Sequence, residues 1–192
     1  FKIDFSSVRV PFDGSLELGM LFIPFFVMVM LATFSTSVID GIDGLAGGVM
    51  ATVFAAISVI AFMNNQGDIS ALSGAITGAI LAFLWFNVPP ARFYMGETGM
   101  LSLTVVLAVI AFLTDSVLLL PIIALPLVLT TASVIIQIVS YKFFNKRRVF
   151  KIAPLHLHFL ALGWPREKVV MRYWIVSIIS AITGVILYLV SN

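Results

Sequence analysis

Six long apolar stretches, separated by short polar breaks, constrain the fold of this chain more than any other feature. A helix needs about 20 predominantly apolar residues to cross the hydrocarbon core of a bilayer. The predicted spans are Leu18–Ile39, Ala46–Met63, Ile69–Val88, Gly99–Thr114, Val117–Phe144 and Val169–Val190. The ten-residue segments of alternating polarity that are typical of outer-membrane barrels do not occur. The sequence therefore predicts an all-α integral membrane protein, with residues 1–192 in a single transmembrane domain.

The composition excludes other classes of protein. Of the 192 residues, 61% are hydrophobic and 10% are charged, and the mean hydropathy is +1.14. A soluble domain is typically about 45–50% apolar and about 25% charged, so a soluble fold would expose too much apolar surface. A disordered chain needs low hydrophobicity, and a secreted disulfide scaffold needs cysteine, which is absent here.

Two segments depart from a plain membrane helix. Pro121 and Pro126 lie inside the long fifth span, so we expect a kink or a break there. Before the first span, residues 1–5 and 8–10 alternate apolar with polar side chains. This pattern predicts a short external β-hairpin that turns at Ser6-Ser7.

Charge is distributed unequally between the loops. Alternate loops of six antiparallel spans lie on opposite sides of the membrane, and one side receives most of the basic residues: Arg92, Lys142, Lys146, Arg147, Arg148, Lys151, Arg166, Lys168 and Arg172. The other side carries few basic and several acidic residues: Lys2, Arg9, Asp4, Asp13, Glu17, Asp68 and Asp115. The positive-inside rule places the first of these sides in the cytoplasm.

The first polar cluster lies where the first two spans meet, at residues 40–48 (DGIDGLAGG). Asp40 and Asp43 are three residues apart, a spacing that places two carboxylates on one side of a helical turn. Gly47 and Gly48 allow the backbone or a ligand to approach closely. The alternative is a helix-capping turn, but a doubled Asp-Gly at a membrane boundary favours a functional site.

The second cluster joins the third and fourth spans and contains Asn87, Arg92, Tyr94 and Glu97. Glu97 can complement the dipole of the helix that follows it, or it can hold a divalent cation against phosphate oxygens. Tyr94 suits the aromatic belt of a membrane interface as well as a platform for base stacking.

The third cluster contains His156 and His158, the only histidines of the chain, between the last two spans. In an extended loop both side chains would project the same way. A zinc site needs ligands that this cysteine-free chain lacks, so phosphate contact or proton transfer suits them better, with a structural role as the alternative. Together, the three clusters predict a cytoplasmic site for a polyanionic phosphate substrate and a metal, beside helices that can hold a lipid.

With these motifs, the chain resembles the C-terminal half of the bacterial phospho-N-acetylmuramoyl-pentapeptide transferases (translocase I), within the polyprenyl-phosphate N-acetylhexosamine-1-phosphate transferase superfamily. The resemblance covers essentially the whole chain and rests on residues 40–46 (DGIDGLA), 86–99 (FNVPPARFYMGETG) and 154–159 (PLHLHF). It implies transfer of phospho-MurNAc-pentapeptide from UDP-MurNAc-pentapeptide to undecaprenyl phosphate, with Mg²⁺ as cofactor. The products are lipid I and UMP, in the synthesis of peptidoglycan at the bacterial inner membrane.

The resemblance also implies roles for individual residues and partners. Asp40 and Asp43 fall on the family's active-site carboxylates, Glu97 on its magnesium-binding aspartate, and Asn87 and Tyr94 on positions that contact the uridine. The implied catalytic residues are Asp40, Asp43, Glu97 and His156, with the metal on Glu97, and the implied substrate-binding residues are Asn87, Arg92, Tyr94 and His158. The implied partners are the two substrates, membrane lipid and a second copy in a homodimer, and we expect no nucleic acid.

The chain departs from the family pattern in several places. Glu97 replaces the usual aspartate, Leu157 replaces a middle histidine, and Phe34 and Ser37 stand where many members have asparagine. The family's Asp-Asp pair followed by lysine is absent, and six spans are predicted where the family has about ten. We therefore expect the C-terminal part of a longer transferase, inactive in isolation. The alternatives are a related GlcNAc-1-phosphate transferase, a catalytically incomplete fragment and an ion pathway, which would place ionisable residues within the spans.

Overall fold

A computed structural model of the chain describes residues 7–11, 14–143, 146 and 148–191. The helices in chain order are α1 (Phe22–Ser35), α2 (Leu45–Met63), α3 (Gly67–Asn87), α4 (Gly96–Leu113), α5 (Leu120–Ile123), α6 (Leu125–Phe143), α7 (Leu155–Ala161) and α8 (Arg166–Val190). Turns of 3₁₀ helix lie at Gly19–Leu21, Thr36–Ile39 and Val117–Leu119. Within the described residues, six helices are long and apolar enough to cross a membrane, which confirms the predicted all-α multi-pass fold.

Helix α2 is the central helix of the bundle. It packs mainly against α3 and α8, and 72% of its most apolar window is buried, against 12% for the first span and 17% for α3. Gly47 permits close packing on α3, since a Cβ at Gly47 would lie 3.2 Å from the side chain of Leu84. The N-terminal turn of α2 therefore has a fixed position, and it follows directly on the first polar cluster.

The fifth span is broken as its prolines predict. Helix α5 ends at Ile123, the backbone of Ala124 leaves helical geometry, and α6 begins at Leu125. Pro121 and Pro126 each lie in the first turn of a helix, where the missing N–H group would have no intrahelical partner. The membrane-crossing part is consequently shorter than predicted and begins at Leu125.

A short hairpin precedes the first span, but its register differs from the prediction. Strand β1 (Ser7–Val10) pairs antiparallel with β2 (Gly14–Glu17). The predicted turn at Ser6-Ser7 is wrong, because Ser7 is the first paired residue of β1 and lies opposite Glu17. The described part of the chain has its turn instead after β1, at Pro11. The strand predicted at residues 1–5 lies outside the described residues.

Contacts identify the loops that share one end of the bundle. The hydroxyl of Tyr188 donates to Asn64 Oδ1 at 2.6 Å, and Arg9 Nη2 donates to the backbone oxygen of Ser191 at 3.5 Å. Burial raises the pKa of the Asp115 carboxyl, and the neighbouring Arg9 partly opposes that shift. The hairpin, the α2–α3 loop and Asp115 thus lie together at what we call the hairpin end. The opposite end, with residues 40–44, 88–95 and 146–165, is called the basic end.

Candidate active site

Residues 40–44 form a tight connection between the first span and α2. Ile39 and Ile42 are buried, whereas Asp40 is exposed and Asp43 is half-buried. Gly44 has a φ of +77°, a left-handed conformation that separates this connection from the helix that follows. The two carboxylates therefore do not share a helical turn, and the predicted helical placement is wrong.

Gly44 is held by side chains from two other helices. Its N–H group donates to Asn87 Oδ1 at 2.9 Å, and its carbonyl oxygen accepts from Trp174 Nε1 at 3.0 Å. Asn87 lies at the end of α3 and is buried, and its Nδ2 donates to the backbone oxygen of Phe93 at 2.9 Å. Both polar ends of the Asn87 amide thus bind the chain's own backbone and tie the Asp-Gly connection to the α3–α4 connection.

The two aspartates differ in their surroundings. Asp43 Oδ2 accepts the backbone N–H of Ala91 at 3.2 Å, which adds a second link between the same two connections. The described residues provide no such donor for Asp40, which is exposed, although partial burial of its carboxyl raises the pKa above the usual range. Asp43 is therefore fixed by the fold, whereas Asp40 remains available to a substrate.

The α3–α4 connection and the first turn of α4 present three of the predicted residues to solvent. Arg92, Tyr94 and Glu97 are all exposed, Tyr94 to 69%. Phe93 between them stacks on Phe86 with ring centroids 5.6 Å apart, which holds the connection against α3. The positioned backbone and the exposed side chains together suit a ligand-binding surface.

The carboxylate side chains at the basic end suit a metal ion that is shared with a substrate. Within the described parts of the chain, no three His, Asp or Glu side chains are grouped so that they could hold a metal ion. Mg²⁺, however, is usually bound through one or two carboxylates together with substrate phosphates and water. Glu97 is an exposed carboxylate in the first turn of α4, so it fits an ion shared with a phosphate substrate rather than a cage made by the protein alone.

The segment with the two histidines is helical, which separates their side chains. Helix α7 begins directly after Pro154, and residues two apart on a helix point in nearly opposite directions. His156 is 1% exposed and lies against the Asp-Gly connection, where a Cβ on Gly41 would be 2.8 Å from its Nε2. His158 lies on the other side, and its Nδ1 accepts the backbone N–H of Lys151 at 3.1 Å. The common projection expected for an extended loop is therefore wrong.

His156 is a buried neutral imidazole in this arrangement. Burial lowers its pKa to about 4, and its Nδ1 has no hydrogen-bond partner among the described residues. A protonated, phosphate-binding His156 would need a change in this environment. The geometry favours a role in positioning Gly41, and the predicted catalytic role stays a prediction.

Comparison with known proteins decides the family. Residues 1–115, more than half of the chain, match the family described as Glycosyl transferase family 4. The chain belongs to this family. A phospho-N-acetylmuramoyl-pentapeptide-transferase of Brachyspira hyodysenteriae is 39% identical over 96% of the chain and 53% of its own length.

Relatives with the same name in Rubrobacter xylanophilus and Borrelia duttonii are 39% and 42% identical, over 96% and 92% of the chain. The chain covers 56% and 55% of these two proteins. This member of glycosyl transferase family 4 therefore spans about half the length of the curated relatives that it matches.

Two residues that hold the connections around the candidate site were not predicted as site residues. Trp174 binds Gly44 and occupies the space beside Gly48, where a Cβ would overlap its Nε1 atom. Gln137 on α6 accepts the backbone N–H groups of Val149 and Phe150, at 3.2 and 3.0 Å. The Gly47-Gly48 pair signals a close approach at this point, but only the tertiary structure identifies its occupant as a tryptophan.

Proposed function

We propose that the protein containing this chain transfers phospho-MurNAc-pentapeptide from UDP-MurNAc-pentapeptide to undecaprenyl phosphate, giving lipid I and UMP. The main support is the name shared by the relatives that match more than nine-tenths of the chain at about 40% identity. The arrangement at the basic end adds support, because the Asp-Gly connection is bound to the α3–α4 connection, and the exposed Glu97 lies in the helical turn that follows.

Phosphoryl transfer depends largely on positioning and on neutralisation of charge, so the two aspartates can have separate tasks. Asp43, bound to Ala91, holds the connection in place. Asp40 is exposed and has a raised pKa, which suits a group that orients the attacking lipid phosphate or accepts its proton. His156 supports the Asp-Gly connection through its contact with Gly41.

Glu97 is the residue that would hold Mg²⁺ in this proposal. Bound there, the ion would supply positive charge to the pyrophosphate of the nucleotide sugar. The exposed ring of Tyr94 is suited to stacking on uracil, with Asn87 at the base of the same loop. Arg92 and His158 complete the proposed substrate-binding set.

The membrane context of the proposal follows from charge. The basic end carries most of the Lys and Arg residues, and by the positive-inside rule this supports a cytoplasmic orientation for it. The proposed membrane is the inner membrane of a bacterium, as the bacterial source of the relatives suggests. UDP-linked substrates are hydrophilic and would meet the site on that side, while the lipid acceptor would reach it from the bilayer. The homodimer and the contacts with membrane lipid stay predictions.

Release of UMP tests the proposal. The full-length protein in detergent is given UDP-MurNAc-pentapeptide and undecaprenyl phosphate, with and without Mg²⁺. We expect Mg²⁺-dependent turnover that Glu97→Asp retains and that Glu97→Gln lowers at least a hundredfold, because the amide is neutral and a weaker ligand for a hard cation.

Three further comparisons, with a variant, another sugar nucleotide and the isolated chain, separate the alternatives. Equal activity of Glu97→Gln and the unaltered protein would contradict the metal role, and turnover with UDP-GlcNAc instead would favour a GlcNAc-1-phosphate transferase. The 192-residue chain alone should release no UMP, since it contains no Asp-Asp pair followed by lysine. Activity of that chain would show that these residues suffice.

A further inference from the structure

A large basic groove at the end of α6 shares only the positioning residue Gln137 with the site described above. It has a volume of about 1000 Å³, at the upper end of the range for ligand pockets. Its lining combines cations with aromatic and aliphatic side chains, and no described lining residue is acidic: Gln137, Ile138, Tyr141, Lys142, Phe143, Lys146, Arg148, Lys151, Ile152 and Ala153. The groove is thus suited to an elongated ligand that has both apolar parts and negative charge.

The side of the groove formed by residues 149–151 is fixed by hydrogen bonds. The carboxamide of Gln137 accepts the N–H groups of Val149 and Phe150, and its Nε2 donates to the carbonyl of Phe150 at 3.2 Å. His158 Nδ1 accepts the N–H of Lys151 at 3.1 Å. Residues Val149, Phe150 and Lys151, which have no regular secondary structure, are therefore fixed against α6 and α7.

The described residues leave the positive charge of the groove uncompensated. Among them, Lys142, Lys146, Arg148 and Lys151 form no ion pair with a carboxylate, and the side chains of Lys142 and Arg148 donate no hydrogen bond. Several like charges around one groove repel each other and create a local positive potential. An anionic ligand would relieve this repulsion and gain charge-assisted hydrogen bonds.

Helix α7 separates the groove from the Asp-Gly connection. His156 lies against Gly41 on one side of α7, whereas His158 lies beside Lys151, a groove residue, on the other. An α-helix with its side chains is about 10–12 Å across, so a group in the groove is distant from a phosphate near Asp40. The groove therefore suits a remote part of a long substrate rather than the reacting pyrophosphate.

We propose that this groove binds the pentapeptide of the nucleotide-linked substrate, with its cations facing the free terminal carboxylate. This inference rests on the proposed function. The muramoyl acyl group blocks the amino end of the peptide, so the carboxyl end is free and negatively charged. A peptide also supplies the apolar side chains that Tyr141, Phe143 and Ile152 can contact.

The test compares substrates and variants in one design. The variant Lys142→Gln/Arg148→Gln removes two charges that support no hydrogen bond within the described chain. The matched control, Arg166→Gln/Lys168→Gln, removes one Arg and one Lys from exposed positions at the same end, in the first turn of α8. Each full-length protein is assayed with UDP-MurNAc-pentapeptide, with the same compound amidated at its terminal carboxyl group, and with UDP-MurNAc.

We expect the groove variant to raise KM for the pentapeptide substrate at least tenfold with kcat little changed, because uniform binding is lost. The amidated substrate should already have a raised KM with the unaltered protein and should show a smaller further change. UDP-MurNAc should not distinguish the variants. An equal rise in KM for all three substrates, or the same rise in the control variant, would overturn the proposal. A change confined to the KM for undecaprenyl phosphate would also overturn it and would indicate a lipid headgroup site.

A binding measurement keeps this test independent of transfer. Calorimetry with an N-acetylated pentapeptide should show binding that the groove variant weakens at least tenfold and the control does not. Such a result would support the groove even if no UMP were released, in which case only the proposed function would fail. Absence of peptide binding to the unaltered protein, despite normal transfer, would overturn the groove proposal alone.

Discussion

At the scale of single residues, the glycines around Asp43 act as contact surfaces for aromatic side chains. His156 lies over Gly41 and Trp174 over Gly48, and Gly44 offers its backbone to Asn87 and Trp174. At Gly41 and Gly48 the ring lies closer than a Cβ would permit, whereas at Gly44 the positive φ, rather than crowding, favours glycine. The position of the Asp-Gly connection therefore depends on the absence of Cβ atoms.

Gly48→Ala tests this dependence. The new Cβ would overlap Trp174 Nε1, so the indole must move and its hydrogen bond to Gly44 must lengthen or break. Overpacking of this kind costs about 1–3 kcal/mol of stability. We expect a lower melting temperature in detergent and at least a tenfold loss of UMP release by the full-length protein.

Two further variants make this prediction specific. Gly78→Ala places a Cβ in open space on an exposed helical position, so it should keep full activity and a similar or higher melting temperature. Trp174→Phe introduced into Gly48→Ala should restore part of the melting temperature, because the smaller ring leaves room for the methyl group. Gly48→Ala with the activity of Gly78→Ala would contradict the proposed contact.

The residue types of the site were predictable from the sequence, but their separate environments were not. The doubled Asp-Gly indicates a functional turn, yet Asp40 and Asp43 are equivalent in the sequence. Their difference arises from the N–H of Ala91, which the fold brings to Asp43 from 48 residues away. Only tertiary structure can supply such a contact.

At the scale of elements, local signals predicted the helices well and predicted their docking poorly. Pro121 and Pro126 mark the break in the fifth span because proline acts on its own backbone. Helix α7 has seven residues, which is too short to show a clear helical period, so the sequence predicts only a loop there. Its position depends on the buried contact between His156 and Gly41, which no local pattern reveals.

The docking of α7 should depend on pH. His156 has a pKa of about 4 in the folded protein, against about 6.5 when unfolded, so the unfolded state binds more protons between these values. Stability is then full above about pH 6.5 and falls as the pH is lowered toward 4, by up to about 3 kcal/mol. Melting temperatures of the full-length protein between pH 8 and pH 4.5 should show this decline.

Histidine variants identify the source of the pH dependence. His156→Phe removes the titrating group and keeps an aromatic ring, so its melting temperature should vary less with pH than that of the unaltered protein. His158→Phe leaves His156 in place and should retain the full decline. An unchanged pH dependence in His156→Phe would assign the effect to other groups.

At the scale of the whole molecule, apolar length and charge order were sufficient to predict the architecture. Six spans are predicted and six are found among the described residues, and all but one of their ends lie within three residues of the prediction. The contacts of Arg9 and Tyr188 show that the hairpin, the α2–α3 loop and the end of α8 lie at the same end of the bundle. This agrees with spans that alternate in direction across the membrane. The exception is the start of the fifth span, which is predicted at Val117 and found at Leu125. Hydropathy alone cannot distinguish a broken helix from a continuous one.

The same charge order predicts how the bundle is oriented, and the absence of cysteine makes this directly testable. Asp68 is exposed at the hairpin end and Arg166 is exposed at the basic end, so cysteine at either position has access to water. In intact spheroplasts, a membrane-impermeant maleimide should label Asp68→Cys and not Arg166→Cys, and lysis should make both reactive. The unaltered chain, without thiols, should give no signal. Labelling of Arg166→Cys before lysis would place the basic end outside the cell, beyond the reach of UDP-linked substrates, and would contradict both the orientation and the proposed function.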